Sequence, residues 1–167
     1  RYPIMIYLHP FAMDERTFLR MVPKIDEAIA CGKLPPLIIA APDGSLDGVG
    51  CLEKPGSFFL NSHAGPYEDF VLNDMWDFVC QRYPVRPERN AHILAGVSMG
   101  GAAAFNFGIR HRDAFGIVLG IHPPLNLRWA DVDGNPRAKF DPRRWGWRTG
   151  FDNPNEILAN FGDLDND

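Results

Sequence analysis

The sequence predicts an α/β protein, a mostly parallel sheet with helices on both faces and therefore three layers. Three observations point there. Short apolar runs, Ile4 to Leu8, Leu37 to Ala41, Ile93 to Val97 and Ala114 to Ile121, are separated by helical stretches, and unbroken apolar character marks strands buried on both sides. Strand and helix alternate in chain order, which favours parallel pairing with a ligand site at the C-terminal strand ends. The run from Ala91 to Gly101 passes from apolar residues into Gly96-Val97-Ser98-Met99-Gly100-Gly101, the pattern of a buried strand turning abruptly into a tightly packed helix.

Taken in order, Ile4 to Leu8 is the first strand, and His9-Pro10-Phe11-Ala12 is the turn after it. Asp14 is placed to cap a helix from about Glu15 to Ala30, Pro23 should kink or split it, and Gly32 closes it. The second strand, Leu37 to Ala41, ends in the turn Pro42-Asp43-Gly44-Ser45. Leu46 to Gly65 is a long loop in which only Ser57 to Leu60 reads as extended, and loops of that length inside a domain often carry function. Pro66 opens a helix whose apolar face is Phe70, Val71, Met75, Phe78 and Val79, with Asp74 on the same period, and Tyr83-Pro84 ends it. The central strand and its helix follow, then the strand Ala114 to Ile121.

With 167 residues and 46% apolar content, the chain can bury the core of one domain. A formal charge of −4 argues against a general affinity for nucleic acid or an anionic membrane. No apolar run approaches the roughly 20 residues that span a bilayer. Cys31, Cys51 and Cys80 form neither a zinc pattern nor a disulfide framework, and they set neither compartment nor oligomeric state. The sequence starts at Arg1 directly in a strand and stops in a polar run, as a piece of a longer protein does.

Regularity fades after His122. Residues 1–125 form the expected core, and residues 126–167 an irregular lid-like or connecting segment of the same domain. In that segment Trp129, Phe140, Trp145, Trp147 and Phe151 are interleaved with Arg137, Lys139, Arg143, Arg144 and Arg148. Stacking on single-stranded nucleic acid is one use of such a mixture, but the acidic chain favours a pocket wall or lid, or a solvated excursion with its aromatics tucked against the body. Asp131-x-Asp133-x-Asn135 and Asp163-x-Asp165-x-Asp167 space oxygen ligands as calcium loops do, yet Pro136 stands where such a loop needs glycine. No metal and no cofactor is expected.

Ser98 carries the chemistry. A corner residue between strand and helix is strained, glycines two before and two after it give the backbone room, and its hydroxyl is pushed out at the sheet edge. It also lies beside a helix N-terminus, whose N–H groups favour negative charge developing on a substrate oxygen. Serine as a plain helix cap explains the residue. It leaves the glycine spacing and the run Gly100-Gly101-Ala102-Ala103-Ala104 unexplained.

These residues resemble the α/β-hydrolase superfamily and, within it, the putative-esterase group of esterase D, feruloyl esterases and mycolyltransferases. Tyr2 to His9 is similar to that group's strand leading to a His-Gly turn, and Pro42-Asp43-Gly44-Ser45 to its next strand end. Gly56 to Ser62 and Gly65 to Val71 resemble its loop and helix before the elbow, and Arg110 to Gly116 the segment after it. The resemblance runs to about Ile121 and implies a serine carboxylic-ester hydrolase acting on a small-molecule ester through an acyl-enzyme on Ser98. It also implies an oxyanion hole formed by the N–H of Met99 and, from the turn after the first strand, the N–H of Phe11.

Two departures stand out. His9 is followed by Pro10 where the family has glycine, and proline has no N–H and a fixed φ. His9 itself is expected to shape the turn rather than to transfer protons. Downstream of Ser98 the only histidines are His111, at the far end of the elbow helix, and His122, at the next strand end. The strands that should carry the catalytic acid and histidine are missing, so the sheet is expected to be incomplete and the isolated chain nearly inactive. The alternative is a non-catalytic α/β-hydrolase-like domain that binds a ligand or partner.

Overall fold

The computed structural model describes residues 1–46, 56–62, 64–125, 129–130, 133, 139–144 and 146–147. Its centre is a four-stranded, wholly parallel sheet in the order β2-β1-β5-β6, with β1 at Ile4–Leu8, β2 at Ile38–Ala40, β5 at His92–Val97 and β6 at Ile117–Ile121. The register sets Ile6 opposite Leu94 and Leu94 opposite Val118, so each row across the sheet lies on one face. Between β1 and β2 the helical segment is split as Pro23 requires. A 3-10 helix, Glu15–Arg20, is capped by the Asp14 carboxylate accepting from Arg16 N–H, and α1, Val22–Ala30, begins with the proline in its first turn.

The long loop contains a small antiparallel pair, β3 (Asn61–Ser62) with β4 (Gly65–Pro66). The stretch expected to be extended, Ser57 to Leu60, is instead a tight turn. Phe58 and Phe59 both stand at φ 54, and Leu60 N–H donates back to the Ser57 carbonyl at 3.2 Å. Burial of both rings in the core holds this otherwise unfavourable backbone in place.

One helical rod follows, composed of α2 (Tyr67–Asp69), a π-helical stretch (Phe70–Met75) and α3 (Trp76–Arg82). A π turn takes more residues than an α turn. It returns Val71 and Val79, eight positions apart, to the same buried line and leaves Phe70 and Phe78 exposed, contrary to the simple helical period. Phe70, Asp74 and Phe78 line a groove with Ala40 and Ala41 beside β2, an edge strand among the described residues.

After the central strand, α4 (Met99–Arg110) lies across β1, β5 and β6 through small residues. A Cβ on Gly108 would stand 2.3 Å from a Val118 methyl, and one on Gly120 would stand 2.5 Å from the Phe105 ring. The core sits between this face and the rod: Ile6, Leu8, Leu94, Phe59, Val71, Ala104 and Phe107 are buried there. At the other end of β5, the His92 ring lies within hydrogen-bond distance of the Arg86 and Ala114 carbonyls, 2.7 and 2.8 Å. That contact ties the segments flanking the elbow unit together.

The opposite face is covered less fully than continuous apolar strands led us to expect. Phe18 stacks on Tyr7 with ring centroids 4.5 Å apart, but Ile117, Leu119 and Ile121 are each about half exposed. Beyond β6, β7 (Trp129–Ala130) pairs antiparallel with β8 (Gly146–Trp147), and Arg144 pairs with Asp133 at 2.7 Å. Apart from residues 129–130, 133, 139–144 and 146–147, residues 126–167 lie outside the described residues.

The two sheet faces should respond differently to truncation. Leu94→Ala, at a fully buried position, is expected to cost about 2–5 kcal/mol. Leu119→Ala should cost less than about 1 kcal/mol because the side chain is already half in water. Urea unfolding midpoints of the two variants against the parent chain measure the difference.

Candidate active site

The elbow forms where β5 ends and α4 begins. Ser98 has φ 51 and ψ −116, a left-handed backbone outside helix and strand regions, held at a strain of order 1–3 kcal/mol. Its neighbours fix it on both sides. Ser98 N–H donates to the Ile121 carbonyl at 2.8 Å, continuing the sheet, while its own carbonyl accepts from Ala102 N–H at 3.0 Å, starting the helix. The residue therefore belongs to both elements.

The flanking glycines are explained by backbone contacts rather than by the turn alone. A Cβ on Gly96 would lie 2.2 Å from the Gly100 carbonyl oxygen. A Cβ on Gly100 would lie 2.0 Å from the Leu8 carbonyl oxygen and 2.8 Å from that of His9. The N-terminus of α4 is thus pressed onto the end of β1 with no space for a side chain, which brings the 8–11 turn beside the elbow.

The remaining residues singled out in the sequence meet there. Met99 is fully buried and is the first residue of α4, so its N–H has no intrahelical acceptor. Phe11 is half-buried in the turn after β1. Gly56 separates their side chains: a Cβ on it would sit 2.2 Å from the Met99 sulfur and 3.0 Å from Phe11 Cδ2. The Phe11 ring also packs on Phe58, with centroids 6.0 Å apart.

His9 is buried and fully bonded. Gly44 N–H donates to its Nε2 at 2.8 Å, so the ring proton sits on Nδ1, which donates to the Pro10 carbonyl at 2.8 Å. Asp43 Oδ1 lies 3.4 Å from Nε2, but that nitrogen is already accepting, and Asp43 Oδ1 itself accepts from Ser45 N–H at 2.9 Å. We therefore read the Asp43 contact as proximity, not as an ion pair. His9 has no nitrogen left to take a proton from a nucleophile.

The other histidines divide by place. His111 closes the far end of α4, where Arg110 and His111 both face the Glu68 carboxylate, at 2.6 and 3.4 Å. His122 follows β6 directly, exposed and left-handed at φ 49, one residue beyond the carbonyl that holds Ser98. It is the one described histidine at the elbow end of the sheet whose ring nitrogens are not engaged in the bonds above.

Sequence reasoning gave Gly44 no role beyond its turn and Ser57 none beyond the short extended piece it was read to begin. The Phe59 ring covers Gly44 so closely that a Cβ would lie 2.4 Å from it, and the Gly44 carbonyl accepts from both the N–H and the hydroxyl of Ser57. The available signal was a serine next to glycine inside an aromatic run. It became meaningful only once the turn at Gly44 was known to lie beside it.

The glycine contacts yield a direct contrast. Gly100→Ala forces backbone apart and is expected to destabilise by more than about 3 kcal/mol. Gly32→Ala meets open space and only the left-handed φ of 71, at a cost of about 1–2 kcal/mol. Thermal unfolding of the two variants compares them.

The family described as Putative esterase matches residues 35–160, well over half of the chain. Among solved structures, a ferulic acid esterase superposes with a TM-score of 0.61 at 28% identity, over 69% of this chain and 43% of its own. A ferulic acid esterase from Anaeromyces mucronatus, solved in complex with ferulic acid, gives 0.61 at 21% identity, over 78% of this chain and 50% of its own. The fluorophosphonate-binding serine hydrolase F of Staphylococcus aureus gives 0.54 at 22% identity, over 98% of this chain and 60% of its own. The chain thus spans 43 to 60% of the length of these structures.

Proposed function

This chain belongs to the putative-esterase family and has the α/β-hydrolase fold, and we propose that it carries the nucleophile and oxyanion hole of a serine carboxylic-ester hydrolase. The observation that supports this reading most is Ser98 at φ 51 and ψ −116 between β5 and α4, the strained corner that a strand-to-helix nucleophile occupies.

In this reading Ser98 Oγ bonds to the ester carbonyl carbon while its proton passes to a general base, and the carbonyl π pair moves onto oxygen. The N–H groups of Met99 and Phe11 receive that oxyanion. Each such donor is worth roughly 3 kcal/mol of transition-state stabilisation. Collapse breaks the bond to the alcohol oxygen, which leaves with the proton, and water releases the acid from the acyl-enzyme by the same steps.

Residues 1–125 form the catalytic core in this proposal, and residues 126–167 a lid-like or connecting part of one domain. The base and its acid lie downstream of the chain. The substrate is a small-molecule ester with an aromatic acyl group, a choice supported by Phe11 and Phe58 beside the elbow and by the ferulic acid esterase relatives.

Incubation of the full-length protein with a fluorophosphonate probe should label Ser98, and Ser98→Ala should abolish both labelling and hydrolysis. Labelling that persists in Ser98→Ala rules the assignment out, and no turnover on p-nitrophenyl, feruloyl or acetylated-sugar esters favours a binding domain.

Without a base, Ser98 keeps its high pKa, and residual catalysis from binding and an oxyanion hole alone is about 10³–10⁴-fold over water in a well-studied hydrolase. The 167-residue chain is therefore expected to hydrolyse p-nitrophenyl acetate several orders of magnitude more slowly than the full-length protein. Equal, Ser98-dependent rates would instead show that a base lies within these residues, and His122 would be the first position to mutate.

A further inference from the structure

Ser57 is a fully buried polar residue that the mechanism above does not use. Its hydroxyl donates to the Gly44 carbonyl at 2.7 Å and accepts from Phe59 N–H at 3.1 Å, while its N–H donates to the same carbonyl at 2.9 Å. The Gly44 amide continues the chain on its other side. Gly44 N–H donates to His9 Nε2 and His9 Nδ1–H donates to the Pro10 carbonyl, each at 2.8 Å. Two hydrogen-bonded segments, joined covalently through Gly44 in the turn after β2, thus run from the 57–60 turn to the peptide between Pro10 and Phe11.

That peptide is trans, so its C=O and N–H point in opposite directions. Whatever fixes the Pro10 oxygen also fixes the direction of the Phe11 N–H. Packing reaches the same peptide by a second route. The Ser57 hydroxyl holds Phe59 N–H inside the left-handed pair, Phe58 packs on Phe11, and the Phe59 ring sits edge-on to His9 with centroids 5.2 Å apart.

We propose that Ser57 is a positioning residue for the oxyanion hole: acting through Gly44 and His9, and through Phe58, it keeps the Phe11 N–H turned toward the reacting oxygen. This rests on the reading that Ser98 is the nucleophile and Phe11 a donor. Removing the hydroxyl strips one donor from the Gly44 carbonyl and the acceptor from Phe59 N–H. The left-handed pair then relaxes, and the peptide gains freedom to rotate.

The test uses the full-length protein with p-nitrophenyl acetate and a trifluoromethyl ketone, which forms a tetrahedral oxyanion on the nucleophile. Ser57→Ala is expected to lower kcat by about 10- to 100-fold, the range up to loss of one oxyanion donor. KM should change by less than about 3-fold, since ground-state binding is untouched. Ketone affinity should fall in parallel with kcat/KM, fluorophosphonate should still map to Ser98, and Ser57→Thr should restore most of kcat. A folded Ser57→Ala with the parent kcat, or a loss confined to KM, overturns the proposal. Should Ser57→Ala fail to fold, Phe58→Leu decides, because it keeps the hydroxyl and loosens the aromatic packing through which the turn reaches Phe11; an unchanged kcat there also overturns it. Failure of the underlying reading is a separate result, seen as hydrolysis that survives in Ser98→Ala.

Discussion

The rest of the structure depends on one steric fact: at Gly100 the backbone of α4 rests directly on the backbone of β1. Leu8 and His9 carbonyls occupy the space that any Cβ would need, and Gly96 meets Gly100 in the same way one strand over. Helix and sheet are therefore in contact through main chain at the one place where the corner residue sits. The position of Ser98 follows from rigid elements and not from a loop, and the turn after β1 is brought beside it by the same contact. A larger residue at either glycine would lift the helix and separate the two halves of the candidate site together.

Around this steric centre the polar groups complete the arrangement. The turns that follow β1 and β2 carry peptide groups that the sheet does not use, and burial makes each unpaired one expensive. His9 meets this need with both ring nitrogens, and Ser57 meets it with its amide and hydroxyl. The aromatic layer of Phe58, Phe59 and Phe11 excludes water from these bonds and keeps two left-handed residues in place. Polar satisfaction and apolar packing act here on the same atoms, so neither can be changed alone.

What the sequence made legible was local. Asp14 and Pro23 announce the split helix because capping and the missing proline N–H act within one turn. The apolar runs announce the strands, and the glycine spacing announces the elbow. The turn at Ser57 was not legible, because two phenylalanines adopt a left-handed backbone only when a core receives their rings. The rotation of the rod at Phe70–Met75 was hidden for a similar reason: the π stretch changes the period that the reading assumed. An apolar strand also reads the same whether or not a layer covers it, and so the half-exposed row on β6 came only from the structure. For the candidate site, Ser98 was visible as a pattern, and Met99 and Phe11 as what the family resemblance implies, whereas the Gly44–Ser57 contact joins residues 13 positions apart by a fold that no local rule encodes.

Pro10 bears on when the ordering of this turn is charged. A glycine there would leave many backbone states open in the unfolded chain and some of them in the folded one. Proline removes most of them at the outset, which lowers the conformational entropy of the unfolded state. With the carbonyl already held by His9, little freedom remains to be lost when a ligand arrives. Such a turn meets its entropic cost during folding and not at each encounter, so the temperature dependence of binding at this edge should carry little signature of loop ordering.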